Sequence, residues 1–336
     1  MPDELLAQLI RWLAVDVFDT ELFVVKSVLT LVVMCLLCGM VGAMVVGNRM
    51  AFFSDAMAHC AFAGVALGYL SVLFSQGDRE MAVWLVPLVM VLFGVGVGAA
   101  MVYVRDSTGL AHDTVIGVFF ALALGFGAML VKFVQSVSRV NLETFLFGNL
   151  YFIPESDLFL LCCALALVAG VFLWRYNQLM FASFNPSLAR TRRMSVTVNN
   201  YLFIILLALV VNLSIKAVGA LLINAMLVVP AAAAANVSRN LRQMFWLTVA
   251  FSLASGGVGY WMSTRVSLRA PGLGEPIQFG PSGVIVVATV AIFFGSMAVV
   301  AVWNRFAPIF GGKKFLRPMH NPNDPCGIDH PFGQCP

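Results

Sequence analysis

The sequence predicts an all-α, polytopic membrane protein of about nine spanning helices. Two observations carry this. Hydrophobic residues make up 61% of the chain and charged residues 11%, whereas soluble domains sit nearer about 45–50% and 25%. The mean hydropathy is +0.93, and the apolar residues fall in long runs. A run of roughly 20 apolar residues is what a helix needs to cross the hydrocarbon core. A net charge of +4 gives no reason to expect nucleic acid.

The runs lie at 28–46, 56–74, 82–104, 114–131, 158–174, 199–215, 217–235, 244–263 and 282–303. Residues 1–27 precede them, with Leu5, Leu6, Leu9, Ile10, Leu13 and Ala14 at helical spacing. They read as an amphipathic helix on the outer membrane surface or packed on the protein's own outer face. This opening is acidic and lacks the basic start and small-residue cleavage site of a secretory signal, so no cleaved leader is expected. Gly39, Gly42, Ala43 and Gly47 in the first span are expected to let helices approach closely. So are Gly94, Gly96 and Gly98 in the third, and Gly117, Gly125 and Gly127 in the fourth.

The gap at 132–157 is half apolar and is expected to re-enter the membrane partly or lie on its surface. Its Glu143, Asn149 and Glu155 either line an access path or are solvated. Residues 175–198 read as an inner loop with an Asn185-Pro186 turn and a basic Arg190–Arg193 cluster. The seventh span holds Asn224 and Pro230, and proline there removes a backbone hydrogen bond and bends the helix. Asn236–Gln243 is short, basic and amphipathic, a place for a cytoplasmic partner to push or an ordinary inner loop. The tail at 305–336 is proline-rich and expected to be loosely ordered.

Nine spans put the termini on opposite sides. With the N-terminus outside, the inner loops hold twelve of the 20 lysines and arginines, including the Arg190–Arg193 cluster. The expected orientation is therefore N-out and C-in. Among seven cysteines, Cys35, Cys38, Cys60, Cys162 and Cys163 lie in apolar runs and Cys326 and Cys335 in the tail. Neither group forms a disulfide framework. His320, Cys326, Asp329, His330 and Cys335 are metal-capable, but their spacing matches no standard zinc motif.

The chemistry concentrates in Asn48–Leu70. His59 is the one acid or base inside the apolar cores, and Asp55 stands at the mouth of the same span. Four residues apart, the two share a helix face. A stacked carboxylate and imidazole make half of a metal site, and both are costly to bury in lipid unpartnered. The structural alternative is that Ser54 or Asp55 caps the second helix and His59 merely packs.

Three stretches resemble the permease subunit of the zinc/manganese/iron-type ABC importers of bacteria. They are Arg49–Gly68, His112–Leu122 and Lys216–Ala234. They are similar in order and spacing to the family's "R-M-a-L-x-x-D-a-x-x-H-x-x-x-x-G", "D-x-x-I-G-i-x-f-a" and "V-G-x-L-L-v-x-A-L-L-i-x-P-A-A" patterns. The resemblance anchors about residues 28–304, the expected permease domain, and implies the type II ABC importer permease fold. It says nothing of the N-terminal segment or the tail. It further implies a homodimer in the bacterial inner membrane, two cytoplasmic ATP-binding subunits and an extracytoplasmic metal-binding protein. On that likeness Asp55 and His59 are the ligands of a transported Zn2+ or Mn2+, with Fe2+ possible, and no cofactor is held permanently. Asn224 and Pro230 are pathway or gating candidates. Ser238, Arg239, Asn240 and Arg242 belong to a short helix that docks on the ATPase. The family often has serine where this chain has Asn224.

Two other classes fit less well. An ion-coupled secondary carrier needs buried acids, and only Asp55 and, at a span edge, Asp113 qualify. It also calls for inverted repeats, which are not evident in the sequence. An intramembrane metalloprotease needs more ligands than one buried histidine, and no H-E-x-x-H is present. Nor is there a G-x-x-x-x-G-K-[ST] phosphate loop, so the chain is not itself expected to use ATP.

Overall fold

The computed structural model describes residues 21–75, 79–137, 148, 150, 153–184, 189, 191–192, 194–268, 277–278 and 280–306. Among them each of the nine apolar runs forms a helix. In order these are α1 (Leu22–Gly47), α2 (Ala51–Phe74), α3 (Arg79–Thr108), α4 (His112–Val137), α5 (Glu155–Phe184), α6 (Val196–Val218), α7 (Ala220–Val237), α8 (Leu241–Arg265) and α9 (Pro281–Phe306). A two-residue antiparallel ladder, Ser267–Leu268 against Ile277–Gln278, joins α8 to α9.

Eight of these helices are long and apolar enough to cross a membrane. The exception, α8, still packs against α1, α7 and α9. Part of its polarity comes from hydroxyls already satisfied by carbonyls. Thr248 donates to the Met244 oxygen at 2.8 Å, Ser252 to the Cys35 oxygen at 2.9 Å and Ser255 to the Ser252 oxygen at 3.0 Å. Such bonds let Ser and Thr sit inside a bundle at little cost.

The helices pack in two matching sets. α2 packs on α3 and α4, and α7 packs on α8 and α9. The first helix of each set lies on the other set: α1 rests on α7 and α8, and α6 on α2 and α3. α5 lies against α1 and α6. Two ion pairs hold its start. Lys26, near the beginning of α1, meets Glu155 at 2.6 Å, and Lys216, near the end of α6, meets Asp157 at 2.6 Å. One side of the bundle therefore carries the start of α1 and the end of α6, so the two sets run in opposite senses. An inverted repeat is thus present that was not evident in the sequence. Its trace is short: Ala51, Asp55, Ala56 and Met57 against Ala220, Asn224, Ala225 and Met226.

The close-packing expectation holds at some glycines and not at others. A Cβ on Gly39 would come within 2.8 Å of the Val249 Cα, and one on Gly42 would run into the Leu227 carbonyl. These two glycines set how near α1 lies to α8 and α7. Gly98 likewise meets Ile204 on α6, at 2.8 Å. Gly96, Gly117 and Gly125 have nothing within 4 Å, so they are not contact points within the protomer.

Other expectations are corrected. The presumed inner loop at 175–198 is largely helix, since α5 continues to Phe184 and α6 starts at Val196. Asn236–Gln243 is not a separate short helix. α7 runs through Val237, α8 starts at Leu241, and Ser238 and Asn240 are extended, with ψ of 145° and 151°. Three residues are too few for an independent helical turn between two helices. α9 extends to Phe306, two residues into the presumed tail. Glu155 is an ion-pair partner rather than a lone access-path residue. Residues 1–20, Glu143, Asn149, Asn185-Pro186, Arg190, Arg193 and the tail residues His320, Cys326, Asp329, His330 and Cys335 lie outside the described residues.

Two predictions follow from this packing. Gly42→Ala and Gly39→Ala each destabilise the detergent-solubilised protein by about 1–3 kcal/mol, because backbone must move to admit the methyl group. Gly96→Ala has no such effect, and a thermal-unfolding series read by size exclusion checks the contrast. Lys216→Ala strands the buried Asp157 carboxylate and costs about 2 kcal/mol or more. Removing both partners recovers part of that loss in the same assay.

Candidate metal site

A sharp corner positions α2. The Asn48 amide nitrogen donates to the Met44 oxygen at 3.0 Å and to the Ser183 hydroxyl at 3.1 Å, tying the end of α1 to α5. Arg49 takes a positive φ of 55°, a conformation rare outside glycine. α2 then starts at Ala51 after Met50, with no side-chain cap. The Ser54 hydroxyl donates to the Ala51 oxygen at 3.0 Å. Neither Ser54 nor Asp55 caps the helix, and the capping alternative fails because the helix begins a full turn earlier than the apolar run suggested. The Asp55 carboxylate is left to point sideways.

His59 lies one turn on. Its Nδ1 is 2.9 Å from the Asp55 main-chain oxygen and 3.8 Å from Asp55 Oδ1. A carbonyl only accepts, so Nδ1 carries the proton in this bond, which leaves Nε2 as the ring nitrogen available to a ligand. Metal-binding histidines are commonly oriented in this way. The ring stands edge-on to Phe120 of α4, with centroids 4.8 Å apart, and tilts over Phe62 at 6.0 Å. These aromatic contacts limit ring rotation.

The second wall comes from α7. Only Gly219 separates it from α6, and its φ of 91° is strained for any residue with a Cβ. Asn224 occupies the fifth position of α7, as Asp55 does in α2, and its Nδ2 donates to Asp55 Oδ1 at 2.7 Å. The Asn224 Oδ1 is buried and has no hydrogen-bond partner. Pro230 lies inside α7, buried, six residues beyond Asn224. Its ring removes the bond that the Met226 carbonyl would otherwise receive.

Exposure separates the pair from its surroundings. Ala56, Met57, Ala58, Ala61 and Ala63 of α2 are buried, whereas the side chains of Asp55 and His59 are 44% and 22% exposed in the single protomer. An acid facing lipid costs about 2.5–3.5 kcal/mol at the centre of a span. This strip therefore opens to water or to another protein surface. Among the described residues no three of His, Cys, Asp and Glu come together, so Asp55 and His59 stand as a pair. Cys60 does not add to it. The thiol lines a separate apolar cavity of about 240 Å³ with Phe93, Val97, Phe119, Leu122, Ala123 and Phe126.

The residues expected to meet an ATPase stand apart from this pair. Ser238 follows the end of α7 and Asn240 precedes α8, with Arg239, Asn240 and Arg242 exposed. Ser238 lies about 21 Å along the helix from Asn224, at 1.5 Å per residue. The sequence placed Asp55, His59 and Asn224 as candidates but not the bond joining Asp55 to Asn224. The repeated Ala-x-x-x-[Asp/Asn]-Ala-Met pattern was the signal for it.

Comparison with known proteins bears on the family and the fold. The profile of a family described as the ABC 3 transport family matches residues 20–300. The chain is 30% identical over 229 residues to the high-affinity zinc uptake system membrane protein ZnuB of Haemophilus influenzae, covering 68% of this chain and 83% of that protein. It is 26% identical over 272 residues to the manganese transport system membrane protein MntC of Listeria innocua, covering 81% and 89%. The fold is similar to PsaBC from Streptococcus pneumoniae, solved in complex with a Fab, with a TM-score of 0.67 and 24% identity. That match covers 87% of this chain and 95% of the other.

Proposed function

Since this chain belongs to the ABC 3 transport family, as the membrane-spanning permease of a metal-ion ABC importer, we propose that Asp55 and His59 bind the transported ion, Zn2+ or Mn2+. The observation that carries this reading is the open strip on an otherwise buried helix, where the Asp55 carboxylate and the His59 ring stand together, Oδ1 3.8 Å from Nδ1. A second copy related by a two-fold axis brings two carboxylates and two imidazoles around one ion and removes both charged strips from lipid. The ligand set suits zinc, manganese and ferrous iron. The iron-type importer is the second choice.

The ion is delivered by an extracytoplasmic binding protein to the side that carries Lys26, Glu155, Asp157 and Lys216. In the N-out, C-in orientation this is the outer side of the bacterial inner membrane. ATP is hydrolysed by separate cytoplasmic subunits, in keeping with the missing phosphate loop. They press on the turn at Ser238, Arg239, Asn240 and Arg242. α7 runs from that turn to Asn224, so its displacement bears directly on Asp55 through the 2.7 Å bond. Pro230, between the two, is where α7 has lost a backbone bond and bends most easily. Access to the ion thus changes sides as α7 moves against α2.

Uptake of radiolabelled zinc and manganese tests the reading in cells that co-express the ATPase and the binding protein. Asp55→Ala and His59→Ala each reduce accumulation by about tenfold or more, with the permease present in the membrane at normal level. Normal transport by both variants excludes the pair as ligands. If the intact chain moves neither metal, iron is tested next.

A further inference from the structure

We infer that Asn224 is a third ligand of the ion in each protomer, and that the completed site selects six-coordinate Mn2+ over four-coordinate Zn2+. The inference rests on the proposed binding of the ion by Asp55 and His59. It starts from the bond between Asn224 and Asp55. The Asn224 amide N–H occupies Asp55 Oδ1 at 2.7 Å, where a cation would otherwise bind. A carboxylate accepts and does not donate, so the amide must present its nitrogen there. Its oxygen is turned into the protein, buried and unpartnered. Buried acceptors are nearly always paired, so an orphaned one calls for a reason.

A half-turn of the amide about its last bond exchanges the two atoms. The oxygen then stands where the nitrogen was, close to Asp55 Oδ1. Oxygens that share one ion at about 2.1 Å, at right angles, lie about 3 Å apart. The observed spacing is near that of two adjacent ligands. The same half-turn gives the orphaned acceptor a partner and turns the NH2 into the place the oxygen held, so the metal bond both replaces the hydrogen bond and offsets a buried donor.

The repeat gives independent support. Asn224 and Asp55 hold the same position in the two oppositely running helix sets, each followed by Ala-Met. They differ by an amide for a carboxylate on a side chain of equal length, so both reach the same point from opposite walls. In the two-fold dimer the set becomes two carboxylates, two imidazoles and two amides. Zinc closes its shell at four ligands in most protein sites, whereas carbonyl and carboxylate oxygens in octahedral array suit manganese. Neutral amide oxygens add ligands without adding charge to remove from water.

The test uses the assembled transporter with its ATPase and binding protein, supplied with Mn2+ and Zn2+ together. Asn224→Leu keeps the size and removes the oxygen. Asn224→Asp keeps an oxygen donor and removes the N–H. If Asn224 is a ligand, Asn224→Leu lowers manganese uptake by about tenfold or more while zinc falls less, and Asn224→Asp retains manganese uptake within about threefold. Binding of Mn2+ to the purified permease dimer, read by loss of its free-ion electron paramagnetic resonance signal, weakens in parallel. Asn224→Ala replaces the leucine variant if that one fails to assemble. An unchanged manganese-to-zinc ratio in the oxygen-free variant overturns the inference while leaving the Asp55/His59 site standing. Equal loss in Asn224→Asp and Asn224→Leu also overturns it, because the amide then serves only to position Asp55. An intact permease that binds neither metal overturns the inference together with the reading beneath it.

Discussion

A carboxylate inside a membrane helix must be answered by another group, and the bond from Asn224 to Asp55 is that answer within one protomer. Much of the architecture serves to bring these two residues together. They lie 169 positions apart in the chain. Each sits one turn inside its helix, and each helix begins at a tight corner, one built on Arg49 with positive φ and the other on Gly219. The corners let α1 and α6 reach their membrane side and hand over at once to α2 and α7. A longer connection would leave the starts of both helices free to drift.

The exchange of first helices between the two sets makes those corners rigid. α1 is pressed onto α7 and α8 by Gly39 and Gly42, so it fixes the wall that carries Asn224. α6 rests on α2 and α3 and fixes the wall that carries Asp55 and His59. The two walls meet where α2 touches α7. The ion pairs at the start of α5 pin the far side, where Glu155 and Asp157 hold α1 and α6.

His59 shows how local rules and packing divide the work. The four-residue spacing alone stacks it over Asp55, and the helix carbonyl takes its Nδ1 proton. The ring's orientation, however, depends on Phe120 from α4, which no spacing along α2 reveals. The same division holds for α8. Thr248, Ser252 and Ser255 lower its hydropathy, yet their hydroxyls are spent on carbonyls, one of them the Cys35 carbonyl of α1. Hydropathy counts a hydroxyl as polar whether or not it is paired, which is why α8 reads as less membrane-like than it packs.

By itself the sequence determined the class of the protein, its nine helical segments and the Asp55/His59 pair, because these depend on composition and on spacing within one helix. It also determined the family, through the patterns at Arg49–Gly68 and Lys216–Ala234, both within the residues 20–300 that the family profile matches. Helix ends were less legible, as at Ala51 and Phe184, since a polar residue such as Asp55 or Arg175 ends an apolar run without ending the helix. Only the tertiary structure decided that two sets of helices run oppositely, that their first helices are exchanged, and that Asn224 meets Asp55. Those facts join residues far apart in sequence through close approach of backbones, and a repeat preserved in shape leaves few identical side chains to mark it.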